Sequence, residues 1–199
     1  MATVDFWFDY SSPYAYLGAT QIEAVAARAG GDVRWRPMLL GGVFKAIGTP
    51  NVPLMLAGQA KQQHYGKDML RWAAWWEVPF AWPTRFPMNT IKALRVTLVS
   101  PDPAKFIHRA FKAYWVEDQD LANANVLATL LSDIGQDPAL VAETENPTVK
   151  ERLIAETNEA VRLGVFGAPT SVVDGELFWG QDRLGFVERA LQGWKPKTA

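Results

Sequence analysis

The sequence of 199 residues contains no cysteine. This absence excludes disulfide bonds, zinc sites built on cysteine and every redox mechanism that uses a thiol of the protein itself. Histidine is almost as rare, because only His64 and His108 occur, and a dedicated metal site is therefore not expected. Thiol chemistry in this protein would need a sulfur atom from a bound molecule.

The sequence also lacks an excess of charge of either sign. It has 20 lysine and arginine residues against 21 aspartate and glutamate residues, and 49% of its residues are hydrophobic. These proportions argue against disorder and against a polycation that binds nucleic acid. No run reaches the roughly 18 uninterrupted apolar residues of a membrane-spanning helix, and the first residues include Asp5 and Asp9 where a basic leader would stand. We expect a soluble cytoplasmic protein with no nucleic-acid or membrane partner.

The first part of the chain predicts a strand, a helix and a second strand. Apolar residues alternate in residues 4–8, recur at helical spacing between Leu17 and Ala29, and alternate again in residues 33–39. The middle of the chain predicts helices, because apolar residues recur there at i, i+3 and i+4. The helical stretches are residues 106–114, 126–134 and 149–161.

The last part of the chain returns to strands. Residues 170–173 and 176–179 predict two short strands around Asp174-Gly175, a strong hairpin signal. A final helix follows, and Asp182 stands where its side chain can cap that helix. The order β-α-β, helices and β-β-α is that of the thioredoxin topology with an inserted helical region.

We therefore expect an α/β protein with a thioredoxin-like fold and a large helical insertion. Residues 1–50 and 165–199 would form the thioredoxin-like domain, and residues 51–164 the inserted helical domain. Ala168-Pro169 lies at the entrance to the predicted third strand, where this fold typically carries a cis-proline. An ordinary trans turn is the alternative.

Two serines stand at the junction between the first strand and the first helix. In thioredoxin-like proteins this junction holds redox cysteines, because a helix N-terminus stabilises a thiolate. Here the junction reads Ser11-Ser12-Pro13-Tyr14, which excludes that redox role. In one interpretation a serine caps the helix and Pro13 occupies its first position. In the other, the Ser12 hydroxyl also donates a hydrogen bond to the thiolate of a cofactor.

Several stretches together resemble the kappa-class glutathione transferases and, within them, the bacterial 2-hydroxychromene-2-carboxylate isomerases. The matching stretches are FDYSSPYAYLG at 8–18, residues 40–51, FPMNTIKALR at 86–95 and FGAPTSVVDGELFWGQDRL at 166–184. The resemblance covers nearly the whole chain. It implies the DsbA-like type of thioredoxin fold, glutathione as cofactor and a homodimer.

The resemblance implies roles for residues in the first part of the chain. Ser12 matches the catalytic serine of the family, which positions the glutathione sulfur and helps it to ionise. Ser11 is the less favoured of the two serines, because relatives often have an apolar residue there. Asn51 and Lys61 match residues that reach the glycyl end of glutathione.

The resemblance also implies roles near the C-terminal end. Ala168, which precedes Pro169, would offer its backbone N–H and C=O groups to the cysteinyl part of the tripeptide, as a strand edge can. Gln181 and Asp182 match the pair that holds the γ-glutamyl end, where Asp182 can pair with the ammonium group. Asp182 could fill this role and cap the last helix as well.

The substrate side of the site is less specific in the sequence. Four of the nine tryptophans cluster at Trp72, Trp75, Trp76 and Trp82. They indicate either core and interface packing or walls for a planar aromatic acid. The candidates for binding a substrate carboxylate are Lys61, Lys67, Arg71 and Arg85. His64 could act as an acid or base but is interpreted as a surface or structural histidine.

Together, these residues and the resemblance imply a glutathione-dependent cis-trans isomerase with a small aromatic carboxylate as substrate. It would convert 2-hydroxychromene-2-carboxylate, or a related aromatic pyruvate, into trans-o-hydroxybenzylidenepyruvate in aromatic hydrocarbon degradation. One alternative is a broader kappa-class transferase or peroxidase. A second alternative is a thioredoxin-like module that binds peptides without catalysis.

Overall fold

A four-stranded sheet forms the centre of the fold. The computed structural model describes residues 1–196. Strand β1 (Thr3–Phe8) pairs in parallel with β2 (Asp32–Pro37) and antiparallel with β3 (Thr170–Val173), which pairs antiparallel with β4 (Glu176–Trp179). The strand order is therefore β2-β1-β3-β4, with strands from both ends of the chain side by side.

Helices fill most of the chain between and after these strands. Helix α1 (Pro13–Arg28) connects β1 to β2, and α9 (Leu184–Leu191) follows β4. Between β2 and β3 lie α2 (Leu40–Ala46), α3 (Pro53–Leu56), α4 (Gln59–Trp75), α5 (Ile91–Val99), α6 (Pro103–Trp115), α7 (Ala124–Asp133) and α8 (Pro147–Arg162). Two short 3-10 helical segments span Pro138–Glu145 and Gln181–Arg183. In the described part of the chain, no helix combines the length and the apolar character needed to cross a membrane.

The element order predicted from the sequence is confirmed. Strand β2 ends at Pro37, two residues before the end of the predicted stretch. Asp174 and Gly175 form the turn between β3 and β4 with φ angles of 50° and 84°, as a two-residue hairpin turn requires. The division into a domain of two segments and an insertion, at residues 50 and 165, stays a prediction.

Strand β1 is buried on both faces because it lies inside the sheet. The side chains of Phe6, Trp7 and Phe8 are all fully buried. On one face Phe6 meets the edge of the Trp35 ring from β2, and on the other the Arg36 guanidinium lies 4.3 Å from the centre of the Trp7 ring. A continuous apolar strand is typical of such a covered position. Because β1 is held on both faces, its end at Phe8 determines the position of the residues that follow, up to the start of α1 at Pro13.

Helix α1 passes unusually close to β1 and to Pro169 at Gly18. A Cβ atom built on Gly18 would lie 3.1 Å from Phe6 Cζ and 3.2 Å from Pro169 Cγ. Glycine therefore allows the helix to approach the segment that leads into β3. This approach brings the N-terminus of α1 and the third strand into one region.

We expect the substitution Gly18→Ala to lower the free energy of unfolding by about 1 kcal/mol, because the added methyl group overpacks a contact with buried neighbours. The matched control is Gly66→Ala in α4, where an added Cβ meets no other atom within 4 Å. There the better helix propensity of alanine should raise the free energy of unfolding by about 0.5–1 kcal/mol. Urea unfolding of both variants measures the difference. Equal stabilisation by the two substitutions would contradict the close approach.

Candidate active site

Ser12 links the N-terminus of α1 to the entrance of β3. Its Oγ atom accepts a hydrogen bond from the Ala15 amide at 3.1 Å, which makes Ser12 the N-cap of α1, and Pro13 is the first helical residue. The same hydroxyl donates to the Ala168 carbonyl oxygen at 2.9 Å. Only 5% of Ser12 is exposed. The predicted helix cap is confirmed: the hydroxyl oxygen caps α1, and the single hydroxyl proton is donated to Ala168.

Ala168 and Pro169 lie directly beside this serine. The peptide bond between them is cis, as the thioredoxin-like topology led us to expect. The Pro169 carbonyl oxygen accepts a hydrogen bond from the Gly180 amide at 2.9 Å. Three predicted site residues, Ser12, Ala168 and Pro169, therefore lie together, largely buried, and the bond from Gly180 connects them to the segment after β4.

Gln181 and Asp182 follow Gly180 in the short 3-10 segment. Gly180 has a φ of 108°, and a Cβ atom built there would lie 2.5 Å from Asp182 Oδ1, so the turn requires glycine. Gln181 is buried, whereas Asp182 is exposed and pairs with Arg183 at 2.6 Å. The prediction that Asp182 caps the last helix is wrong. Helix α9 begins at Leu184, after the 3-10 turn, and has no side-chain cap.

Asn51 and Lys61 lie on a different part of the chain. Asn51 is exposed in the loop between α2 and α3, and its Oδ1 atom would lie 3.6 Å from a Cβ atom built on Gly41 in α2. Lys61 is exposed near the start of α4, with its ammonium group 5.5 Å from the centre of the Tyr65 ring. Neither side chain forms a hydrogen bond with another of the predicted site residues in the described chain.

Tyr14 is a site residue that the sequence reasoning missed. It is half-buried in the first turn of α1, and burial raises its pKa to about 12, with further contributions from the charges of Asp68, Tyr65 and Asp182. Asp68 and Tyr65 lie on α4, and Asp182 lies in the segment after β4. The tyrosine directly follows the serine and proline of the junction, which was the available signal. Its hydroxyl stays protonated near neutral pH and can donate a hydrogen bond.

A second missed residue is Asp9, whose carboxylate is buried under the turn that carries Ser12. Its Oδ1 atom accepts hydrogen bonds from the Ser11 amide at 3.0 Å and from Thr90 Oγ1 at 2.6 Å. Its Oδ2 atom accepts from the Leu40 amide at 2.8 Å. In the described chain Asp9 forms no salt bridge, and only 1% of the residue is exposed.

Burial raises the pKa of Asp9, and the hydrogen bonds from Ser11, Thr90 and Leu40 act in the opposite direction. A buried carboxylate held by three donors is costly to desolvate, and such groups often lie at functional sites. The signal in the sequence was an acidic residue directly after an apolar strand and before the helix junction. That signal alone does not show which residues of distant segments bind the carboxylate.

Residues 79–90 form a segment that packs against this junction. At one end, the Tyr16 hydroxyl in α1 donates to the Pro79 carbonyl oxygen at 2.7 Å. At the other end, Thr90 binds Asp9. The two ends of the segment are therefore fixed, one to the first turn of α1 and the other to Asp9 before the serine junction.

Aromatic rings on this segment form a cluster with Trp115 of α6, next to Tyr10 after the end of β1. Trp115 donates from Nε1 to the Tyr10 carbonyl oxygen at 2.9 Å, and Phe80 stacks on it with ring centroids 5.7 Å apart. Trp82 meets the edge of the Phe86 ring at 5.6 Å and remains 42% exposed. We call Phe80, Trp82, Phe86 and Trp115 the aromatic wall. Trp115, which is fully buried, connects this wall to Tyr10, two residues before Ser12, and Trp82 supplies exposed apolar surface.

The four predicted tryptophans have different environments. Trp72 and Trp76 lie against each other, with ring centroids 4.8 Å apart, and pack onto the hydrophobic core. Trp75 is 79% exposed on the outer side of α4. Of the four, Trp82 belongs to the aromatic wall, so core packing accounts for one pair of the cluster, and the substrate-lining role of Trp82 stays a prediction.

The four candidates for binding a substrate carboxylate lie on two different parts of the structure. Arg85 lies on the segment of the aromatic wall and donates from Nη1 to the Asp118 carbonyl oxygen at 2.8 Å. Thr84 binds the Asp118 carboxylate through its amide and its hydroxyl, which fixes this part of the segment. The other three candidates are exposed along α4: Lys61, Lys67 and Arg71.

The two histidines lie away from the serine junction. His64 is exposed on α4, and His108 Nε2 lies 2.7 Å from Glu23 Oε2 in a partly exposed pair between α6 and α1. Residues 1–196 contain no group of three or more histidine, aspartate or glutamate side chains that could hold a metal ion. Within residues 1–196 neither histidine is hydrogen-bonded to Ser12, Ala168, Gln181 or Asp182.

The site can stabilise negative charge on a sulfur or oxygen atom placed at Ser12. The N-terminus of α1 presents the positive end of the helix dipole. The Ser12 hydroxyl is a donor, and the backbone of Ala168 can pair with an extended peptide. The exposed Asp182 carboxylate matches an ammonium group. These features fit a short peptide that carries both a free amine and a thiol.

Known proteins are similar to this chain over almost its full length. A family model for the DSBA-like thioredoxin domain matches residues 3–192. The 2-hydroxychromene-2-carboxylate isomerase of Sphingobium xenophagum is 30% identical, with 95% of this chain and 97% of the relative covered. Glutathione S-transferase kappa 2 of Caenorhabditis elegans is 29% identical, with 91% and 88% covered.

The fold is also that of a solved relative. A crystal structure of 2-hydroxychromene-2-carboxylate isomerase is 27% identical, covers 95% of this chain and 94% of its own, and superimposes with a TM-score of 0.86. This similarity confirms the expected thioredoxin-like fold of the DsbA type. The chain belongs to the DSBA-like thioredoxin domain family, in the group that contains the 2-hydroxychromene-2-carboxylate isomerases and the kappa-class glutathione transferases.

Proposed function

We propose that this protein is a glutathione-dependent cis-trans isomerase of aromatic pyruvates, with 2-hydroxychromene-2-carboxylate or a related compound as substrate. The observation that carries the proposal is the Ser12 hydroxyl, which caps α1 and donates to the Ala168 carbonyl oxygen in a protein without cysteine. A hydroxyl donor at a helix N-terminus suits a thiolate that the protein does not itself contain. The similarity to named isomerases supports the same reaction.

Glutathione would lie along the surface from Ser12 to Asp182. Its ammonium group would pair with Asp182, and its cysteinyl backbone with the Ala168 amide and carbonyl. The Ser12 hydroxyl has one proton, so on binding it would leave the Ala168 carbonyl oxygen and turn toward sulfur, and that carbonyl would then accept from the tripeptide. Asn51 and Lys61 would reach the glycyl carboxylate.

Bound glutathione would supply a thiolate that adds reversibly to the conjugated double bond, leaves a single bond free to rotate, and is regenerated when it leaves. Ser12 and the α1 N-terminus hold the negative charge of the sulfur at neutral pH. The aromatic wall orients the planar substrate and excludes water from it. Arg85, next to that wall, binds the carboxylate and stabilises the negative charge that develops on the pyruvyl oxygens.

A broader transferase activity is the second candidate, because kappa-class transferases are nearly as similar to this chain as the isomerases. The same thiolate site would serve both reactions. The products separate them, since an isomerase leaves glutathione unchanged and a transferase forms a stable thioether. Mass spectrometry of the reaction mixture therefore distinguishes the two activities.

We expect Ser12→Ala to lower kcat/KM for isomerisation about 100-fold or more, because it removes a donor to the reacting sulfur. The measurement is the ultraviolet absorbance change of hydroxychromene-carboxylate with and without glutathione. Ser132→Ala is the control, because its exposed hydroxyl bonds only the Ala128 carbonyl oxygen within α7, and it should keep the activity of the wild type. Full activity of Ser12→Ala, or conversion without glutathione, would contradict the proposal.

Arg85→Gln should raise KM for the aromatic substrate about tenfold through the loss of one charged hydrogen bond, with little change in the KM for glutathione. Arg71→Gln on α4 is the matched control and should leave both constants unchanged. The test is steady-state kinetics with each substrate varied in turn. If Arg71→Gln raises the substrate KM and Arg85→Gln does not, the carboxylate lies against α4 instead.

A further inference from the structure

The buried Asp9 carboxylate joins three segments that are distant in the sequence. We propose that Asp9 is a positioning residue, which holds the Ser12 hydroxyl in the orientation needed at the glutathione sulfur. This inference rests on the proposed function and adds a residue that acts through Ser12. Asp9 itself is covered by protein and does not reach the surface where the tripeptide would lie.

The first step of the argument is the contact of Asp9 with the serine turn. Its Oδ1 atom accepts from the Ser11 amide, and the Asp9 carbonyl oxygen accepts from the Ser12 amide at 3.1 Å. Two consecutive amides of the turn are therefore fixed by one residue. The orientation of the Ser12 side chain at the helix N-terminus follows from this turn.

The second step is the pair of links from Asp9 to other elements. Thr90, directly before α5, donates its hydroxyl to Oδ1, and the amide of Leu40, the first residue of α2, donates to Oδ2. Asn51 lies over the next residue of α2, Gly41. One carboxylate thus sets the Ser12 turn relative to the aromatic-wall segment and to the helix next to Asn51.

The third step concerns charge. Asp9 forms no ion pair within residues 1–196, and a negative charge behind the turn disfavours a nearby thiolate. The benefit of the carboxylate at this position is therefore geometric. It offers acceptors on two oxygens to three donors, whereas an asparagine offers one oxygen and sets an N–H group against one of those donors.

Thr90→Val removes the hydroxyl donor and keeps the shape of the side chain. We expect about a tenfold lower kcat, because small displacements of a catalytic group have large effects on rate, with the KM for glutathione changed less than twofold. The ultraviolet thiolate absorbance of saturating glutathione at one fixed pH should fall in parallel. Thr90→Ser, which restores the hydroxyl, should recover both signals.

Thr97→Val in α5, the helix that Thr90 precedes, is the matched control. It removes a buried hydroxyl that bonds the Tyr10 hydroxyl at 2.6 Å and has no contact with Asp9. Both substitutions remove a buried hydroxyl group and should lower Tm. Thr97→Val should nevertheless keep the kcat and the thiolate absorbance of the wild type. If Thr90→Val does not fold, Asp9→Asn replaces it, with the same expected loss.

The outcomes separate this inference from the proposed function. If the wild type gives the thiolate signal and the kcat of Thr90→Val equals that of Thr97→Val, the positioning role is wrong and the proposed function stands. If the wild type gives no thiolate signal and no glutathione-dependent conversion, both fail. Loss in Thr90→Val with recovery in Thr90→Ser supports the positioning role.

Discussion

The hydrogen bond between the Ser12 hydroxyl and the Ala168 carbonyl oxygen is the interaction on which the candidate site depends. It joins residues that are 156 positions apart in the sequence and connects the N-terminus of α1 to the segment that enters β3. The same hydroxyl caps α1, so one side chain fixes the helix N-terminus and the entrance to β3. The close approach at Gly18 and the bond from Gly180 to Pro169 extend this junction on both sides.

This thioredoxin-like fold has the helix N-terminus that stabilises a thiolate but no cysteine to supply the sulfur. The helix N-terminus that lowers a thiol pKa in redox relatives is present, and a serine hydroxyl occupies the position beside it. Such a site suits a sulfur atom that enters with a ligand. The aromatic wall and Arg85 then provide what a planar carboxylate substrate requires, on a segment tied to α1 at Tyr16 and Asp9.

Much of this organisation could be predicted from the sequence, because local patterns determine it. Hydrophobic periodicity indicated the helices and strands, and Ser12 was identifiable from its place between an apolar strand and Pro13. The role of Asp9 could not be predicted, since its partners Leu40 and Thr90 lie 31 and 81 residues away. Asp182 was wrongly predicted as a helix cap, because the 3-10 turn after Gly180 delays the start of α9.

The central claim is that the protein binds glutathione as a thiolate at Ser12. Calorimetric titration with glutathione in two buffers of different ionisation enthalpy, at neutral pH, measures the protons released on binding. A free thiol is mostly protonated at this pH, so the wild type should release close to one proton per glutathione (~1) and Ser12→Ala clearly fewer. No binding by the wild type, or equal proton release by the two proteins, would contradict the claim.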